Sequence, residues 1–155
     1  IANGEKVKYV HSIKQPNDTT LWVSTVGEGI VKVIFDASTA TPTVKSASRT
    51  VIDNGRMASN YFFTSYQEND SILWFGNRGC GAYRMNVETG EMIPHRFDSI
   101  VSSQTANDIF AIYKNAKGYW LGTSSGLLHL EQDDSFSSGS LWSRKECAPL
   151  LFPLD

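Results

Sequence analysis

The sequence predicts an all-β fold, and three observations predict it. Ser and Thr supply 29 of the 155 residues, beside 12 Gly and 12% aromatic residues, a balance that favours strands and turns over long helices. No stretch of 12 or more residues keeps a 3.6-residue apolar stripe without a Gly, Pro or β-branched run breaking it. Three segments about 50 residues apart also repeat one pattern centred on a tryptophan.

The repeat runs in a fixed order. A strand rich in Tyr, Phe, Ile and Val opens each unit: Tyr9 to Lys14, Tyr61 to Tyr66, and Asp108 to Tyr113. A polar turn follows, Gln15 to Thr20, Gln67 to Ser71 and Lys114 to Gly118, built from residues that accept tight-turn geometry. Next comes an apolar-Trp-apolar strand, with Trp22, Trp74 and Trp120 spaced by 52 and 46 residues. It ends at Gly-containing turns such as Gly76-Asn77-Arg78-Gly79 and Thr123-Ser124-Ser125-Gly126, where glycine supplies positive φ cheaply. A third strand follows, for example Gly81 to Val87, and weaker patterns place a fourth in Thr43 to Ile52 and Glu91 to Phe97. Asn60 and Asn107 stand just ahead of the opening strand in two units.

Four strands per 46 to 52 residues is the period of a propeller blade. Continuous apolar strands suit a blade, whose two faces both press on neighbours. The repeated Trp side chains are expected in those inter-blade layers rather than as sugar-stacking aromatics, because a repeated position points to packing shared by all units. The chain then forms about three four-stranded blades, residues 8–52, 61–98 and 107–143, within a partial propeller spanning 1–155. Closed propellers use about four to eight blades, so a partial arc of a longer chain is expected, with self-association through the exposed blade faces. Residues 144–155 form an irregular tail after the Ser/Gly-rich stretch 135–140; a degenerate outer strand, a cap on the open face and a clipped boundary all fit it.

A formal charge of -2 without a basic cluster argues against nucleic acid, since phosphate binding needs concentrated Lys and Arg. The longest apolar run, Ile109 to Tyr113, is five residues, too short to span a bilayer as a helix. The opening residues carry no signal-peptide core, so any export signal or anchor is expected outside this chain. Cys80 and Cys147 are too few for a disulfide scaffold; they could pair, or act as small free hydrophobes.

With the units aligned, the pattern resembles the two-component regulator propeller repeat. Its consensus is similar to an Asn, an apolar strand, a polar turn with Gly, Leu-Trp-Ile-Gly-Thr, one to three small residues, then Gly-Leu and an aromatic strand. The third unit is nearest, with Asn107-Asp108-Ile109, Gly118-Tyr119-Trp120-Leu121-Gly122-Thr123 and Gly126-Leu127. The second has Asn77 in place of Thr and Cys80 between its glycines, and the first has Ser24-Thr25 where Gly-Thr is usual. The resemblance covers residues 8–131 and implies the periplasmic sensor portion of a hybrid two-component protein anchored in the inner membrane. In such proteins seven-bladed propellers precede a small β-sandwich, a membrane helix and a histidine kinase, and they detect soluble oligosaccharides.

No catalytic constellation stands out. His11, His95 and His129 lack metal-ligand spacing, and neither a metal nor a cofactor is expected. The glycines from Gly76 to Gly81 do not follow the dinucleotide order and precede a strand, so they read as a turn. Arg78 near Cys80 could lower a thiol pKa, but no His is placed as base. Glu28, Asp108 and Glu88 could pair only if the fold set their separation. Asn17-Asp18-Thr19 and Asn69-Asp70-Ser71 match the glycosylation triplet and read as polar turns. In a blade, the loop leading into the first strand and the turn between second and third strands open on one face. That face gathers Asn60, Asn107 and Asp108 with Glu28, Asn77 and Arg78, and Tyr61 as a stacking surface. The seven are candidate ligand contacts, or else solvated turn residues. The function this implies is a non-catalytic sensor for an oligosaccharide; a structural or protein-interaction propeller, or a propeller lyase, are the alternatives.

Overall fold

The computed structural model describes residues 6–51, 60–97 and 107–130. Among them every regular element is a strand, in three antiparallel sheets. The first contains β1 (Val10–Asn17), β2 (Thr20–Thr25), β3 (Ile30–Asp36) and β4 (Thr43–Thr50) in the order β1-β2-β3-β4. The second contains β5 (Phe62–Asn69), β6 (Ile72–Asn77), β7 (Ala82–Asn86) and β8 (Met92–His95) in the same meander. The third contains β9 (Ile109–Asn115), β10 (Gly118–Thr123) and β11 (Gly126–Leu130). Its expected fourth strand, the 144–155 tail and Cys147 lie outside the described residues.

Each first hairpin turns on an asparagine. The Oδ1 of Asn17 accepts from Thr19 N, that of Asn69 from Ser71 N, and that of Asn115 from Lys117 N, at 3.1, 2.9 and 2.9 Å. The turns are shorter than the polar runs suggested, so Gln15, Gln67, Glu68 and Lys114 belong to strands. Alternation leaves Gln15 exposed while Pro16 beside it is buried, whereas Glu68 and Lys114 pair with each other between sheets.

The sheets stack face to face with their first strands adjacent, β1 against β5 and β5 against β9, as in a propeller segment. The period of two splits each sheet between two cores. Trp22 and Ile30 of the first sheet meet Phe62, Leu73, Phe75, Tyr83 and Met85 of the second. Ile72, Trp74 and Ala82, on the second sheet's other face, meet Ile109, Tyr119, Leu121, Leu128 and Leu130 of the third. Every residue of β6 is buried, as expected of a strand pressed on both sides. Trp22 and Trp74 therefore occupy equivalent inter-sheet layers. Trp120 has the same register but stands, half-buried, on the far face of the third sheet, stacked on His129 at 4.2 Å.

Candidate functional site

The loops leading into β1, β5 and β9 and the turns after β2, β6 and β10 come together by backbone hydrogen bonds. Val26 N donates to Tyr9 O (3.0 Å), Arg78 N to Tyr61 O (3.0 Å) and Ser124 N to Asp108 O (3.3 Å). Further bonds cross from one sheet to the next. Asn60 O accepts from Gly27 N and Gly29 N at 2.9 and 3.2 Å, and Asn107 O accepts from Gly81 N at 2.9 Å. Six of the seven sequence-derived candidates thus lie on one face as two groups, Glu28 with Asn60, and Tyr61, Asn77 and Arg78 with Asn107. Asp108 adjoins the second group through the chain.

Their side chains divide by task. Asn107 is 0% exposed and its Oδ1 accepts from Phe97 N at 2.8 Å, tying the third sheet's leading loop to the second sheet. Asn77 is equally buried, and its backbone N–H closes the turn onto Gly81 O at 2.9 Å. Glu28 Oε2 faces Arg49 Nη2 at 3.3 Å and accepts from Lys8 N at 3.4 Å. Asp108 Oδ2 accepts from Ser124 Oγ at 3.0 Å. Arg78 is exposed and lies over the Tyr61 ring at 5.8 Å, and Tyr61 itself is 41% exposed. Tyr61 and Arg78 offer an accessible flat ring beside a planar cation. The buried Asn107 side chain instead satisfies a backbone N–H of the fold.

A polar cluster outside this face sits in the layer between the second and third sheets. Glu68 Oε2 accepts from Trp74 Nε1 at 2.7 Å, its Oε1 faces Lys114 Nζ at 2.6 Å, and Lys114 lies 4.8 Å from the Tyr119 ring centre. Burial pushes the Glu68 carboxyl up, but hydrogen bonds from Lys114, Trp74 and Tyr119 outweigh it and hold it below its ordinary value. Burial, and then Glu68, push the Tyr119 phenol far up. Beside them His95, 5.1 Å from Trp74, is lowered to about 4 by burial and by Arg84, so its ring stays neutral. The cluster holds Trp74 in place through the Glu68 carboxylate. Sequence reasoning passed over Glu68 because it stood in a run taken for a turn.

Cys80 is buried in the first inter-sheet layer. Among the described residues no group of three His, Cys, Asp or Glu could hold a metal ion, and no helix is long and apolar enough to cross a membrane.

No protein-family profile matches the chain. Over 112 residues, 71% of its length, it is 34% identical to histidine kinase P4 of Formosa agariphila. The aligned part is 8% of that protein, so the chain spans a small share of the curated relative it matches.

Proposed function

We propose that this chain is a propeller segment of the extracytoplasmic, periplasmic sensor region of a two-component signalling protein, where it holds a soluble oligosaccharide. The likeness to a histidine kinase, over 71% of the chain, carries this reading and points to signalling. The accessible Tyr61–Arg78 pair supports a binding role, since a ring and a guanidinium can serve a sugar's C–H face and hydroxyls. A ligand would bias the kinase by its difference in affinity between two packings of the sheets. Thermal unfolding with soluble oligosaccharides tests the reading. A saccharide at a hundred times its dissociation constant should stabilise the chain by about 2.7 kcal/mol. No rise in Tm with any saccharide would reject it.

A second reading, a structural segment without its own ligand site, is favoured by the burial of Asn77 and Asn107. Saccharide binding by the longer parent protein but not by this chain would select it.

Under either reading the end faces are complementary. Both internal layers set the Trp-bearing face of one sheet on the opposite face of the next. The faces left over are that of Trp120 with Tyr113, and that of Leu21, Val33, Phe35 and Val44 on the first sheet, where a groove opens. In a longer chain further sheets would cover both. In the isolated chain the occupant is a second copy, added head to tail. Light scattering after size exclusion should show mass rising with concentration, and Trp120→Glu should return it to the monomer. A monodisperse monomer of the unaltered chain at high concentration contradicts this.

A further inference from the structure

We propose that His11, Phe63 and Phe110 form a stacking platform for a sugar ring, set by three equivalent β-bulges on the first strands of the three sheets. This inference rests on the oligosaccharide reading above and gives it a place.

The strands β1, β5 and β9 are the edges of their sheets and lie side by side. On each, pairing with the next strand slips by one residue at the same point. The slip falls between Val10 and Ser12, between Phe62 and Thr64, and between Ile109 and Ala111. The extra residue at each slip is His11, Phe63 or Phe110. A bulged residue lies outside the ladder and has its side chain re-aimed, a device common beside binding sites.

Packing does not explain three rings there. Phe62 and Ile109, the preceding residues, are fully buried and serve the core, whereas Phe110 is 47% exposed, His11 is exposed and Phe63 is half-buried. The rings nonetheless meet. His11 and Phe63 are edge-to-face with centroids 5.8 Å apart, and Phe63 and Phe110 are tilted at 4.9 Å. They make one aromatic strip across three sheets. Next to His11 in the chain, Ser12 Oγ hydrogen-bonds Ser65 Oγ and, at 3.2 Å, Ser24 Oγ, pinning β1 to β5.

The chemistry selects the ligand. A pyranose has a C–H face that stacks on a ring and hydroxyls at its edge, and each bulged residue sets a ring next to backbone N–H and C=O groups outside the ladder. The strip contains no Lys or Arg, which disfavours a polyanion.

Isothermal titration of the whole chain with cellohexaose, laminarihexaose, xylohexaose and a galacturonic acid hexamer tests this. Phe63→Leu, Phe110→Leu and His11→Ala are compared with Lys45→Ala on the outer β4, which should leave binding unchanged, all checked for cooperative unfolding. Each strip variant should weaken the best-bound hexasaccharide by about 3- to 10-fold. The exposed His11 position serves if a Phe variant fails to fold. Unchanged affinity in the folded strip variants would overturn the platform while leaving the oligosaccharide reading intact. Failure of the unaltered chain to bind any of the four would overturn both.

Discussion

Glu68→Ala is expected to destabilise the protein by about 3–5 kcal/mol, because it strands a charged partner in a largely buried layer. The Lys114 and Glu68 side chains are only 21% and 14% exposed, and removing the carboxylate also deprives the Trp74 and Tyr119 polar hydrogens of their acceptor. The first inter-sheet layer shows what the alternative looks like. There Pro16 stands in the register of Glu68, Trp22 in that of Trp74 and Leu73 in that of Tyr119. The side chains clustered with Trp22 there are hydrophobic, and the Trp22 Nε1 is buried without an acceptor among the described residues. Glu68→Leu combined with Lys114→Met should therefore recover most of the loss, since an apolar pair can replace a buried ion pair at little cost. Urea unfolding of the single and double variants measures this; equal losses in both would refute it.

The same cluster fixes the response to acid. His95 is held at about 4 against an ordinary 6.5, so on acidification the unfolded chain takes up its proton first. Stability is lost between pH 6.5 and about 4, by about 3 kcal/mol at 1.36 kcal/mol per unit. Glu68 acts below that: its depressed pKa contributes stability above 4.5, which is lost as pH falls under that value. His95→Gln should flatten the upper part of the curve and Glu68→Gln the lower part. A stability profile unchanged by either substitution would contradict these assignments.

Much of the fold was legible because the repeat constrains it. The Trp strand, its glycine turn and the following strand carry most of the packing, so their order in sequence gave the three sheets and the layers of Trp22 and Trp74. Even the weak fourth-strand patterns were found, as β4 and β8. The candidate site was less legible. Asn60 and Asn107 recur ahead of their strands, but Asn107 satisfies backbone groups, a use that composition cannot separate from ligand contact. His11, Phe63 and Phe110 read as ordinary strand residues, because a bulge is a property of pairing with a second strand and leaves no mark on the first. Glu68 was hidden for the related reason that its partner Lys114 lies 46 residues away.

Gly81→Ala should cost about 4 kcal/mol or more, while Gly79→Ala, two residues earlier, should cost about 1–2 kcal/mol. The two glycines have nearly the same backbone, φ 81° at Gly79 and 83° at Gly81, so the strain of a side chain in the left-handed region is common to both. Their surroundings differ. A Cβ on Gly79 meets nothing within 4 Å, whereas one on Gly81 runs into the His95 carbonyl oxygen of its own fourth strand. Gly81 cannot retreat, because its N–H is bonded to Asn107 O in the loop leading to the third sheet and its carbonyl closes the turn to Asn77 N. Gly29 repeats the arrangement one sheet earlier, against Thr50 O and with its N–H on Asn60 O. The difference between the Gly81 and Gly79 variants thus isolates the close approach of turn to fourth strand, free of the shared φ penalty. Because Gly81 also bridges to the next sheet, its variant should weaken packing of the second sheet on the third and speed amide exchange in β9 and β10. Equal stability of the two variants would mean that turn and fourth strand do not meet as described, and the stacking of one sheet on the next would lose its anchor.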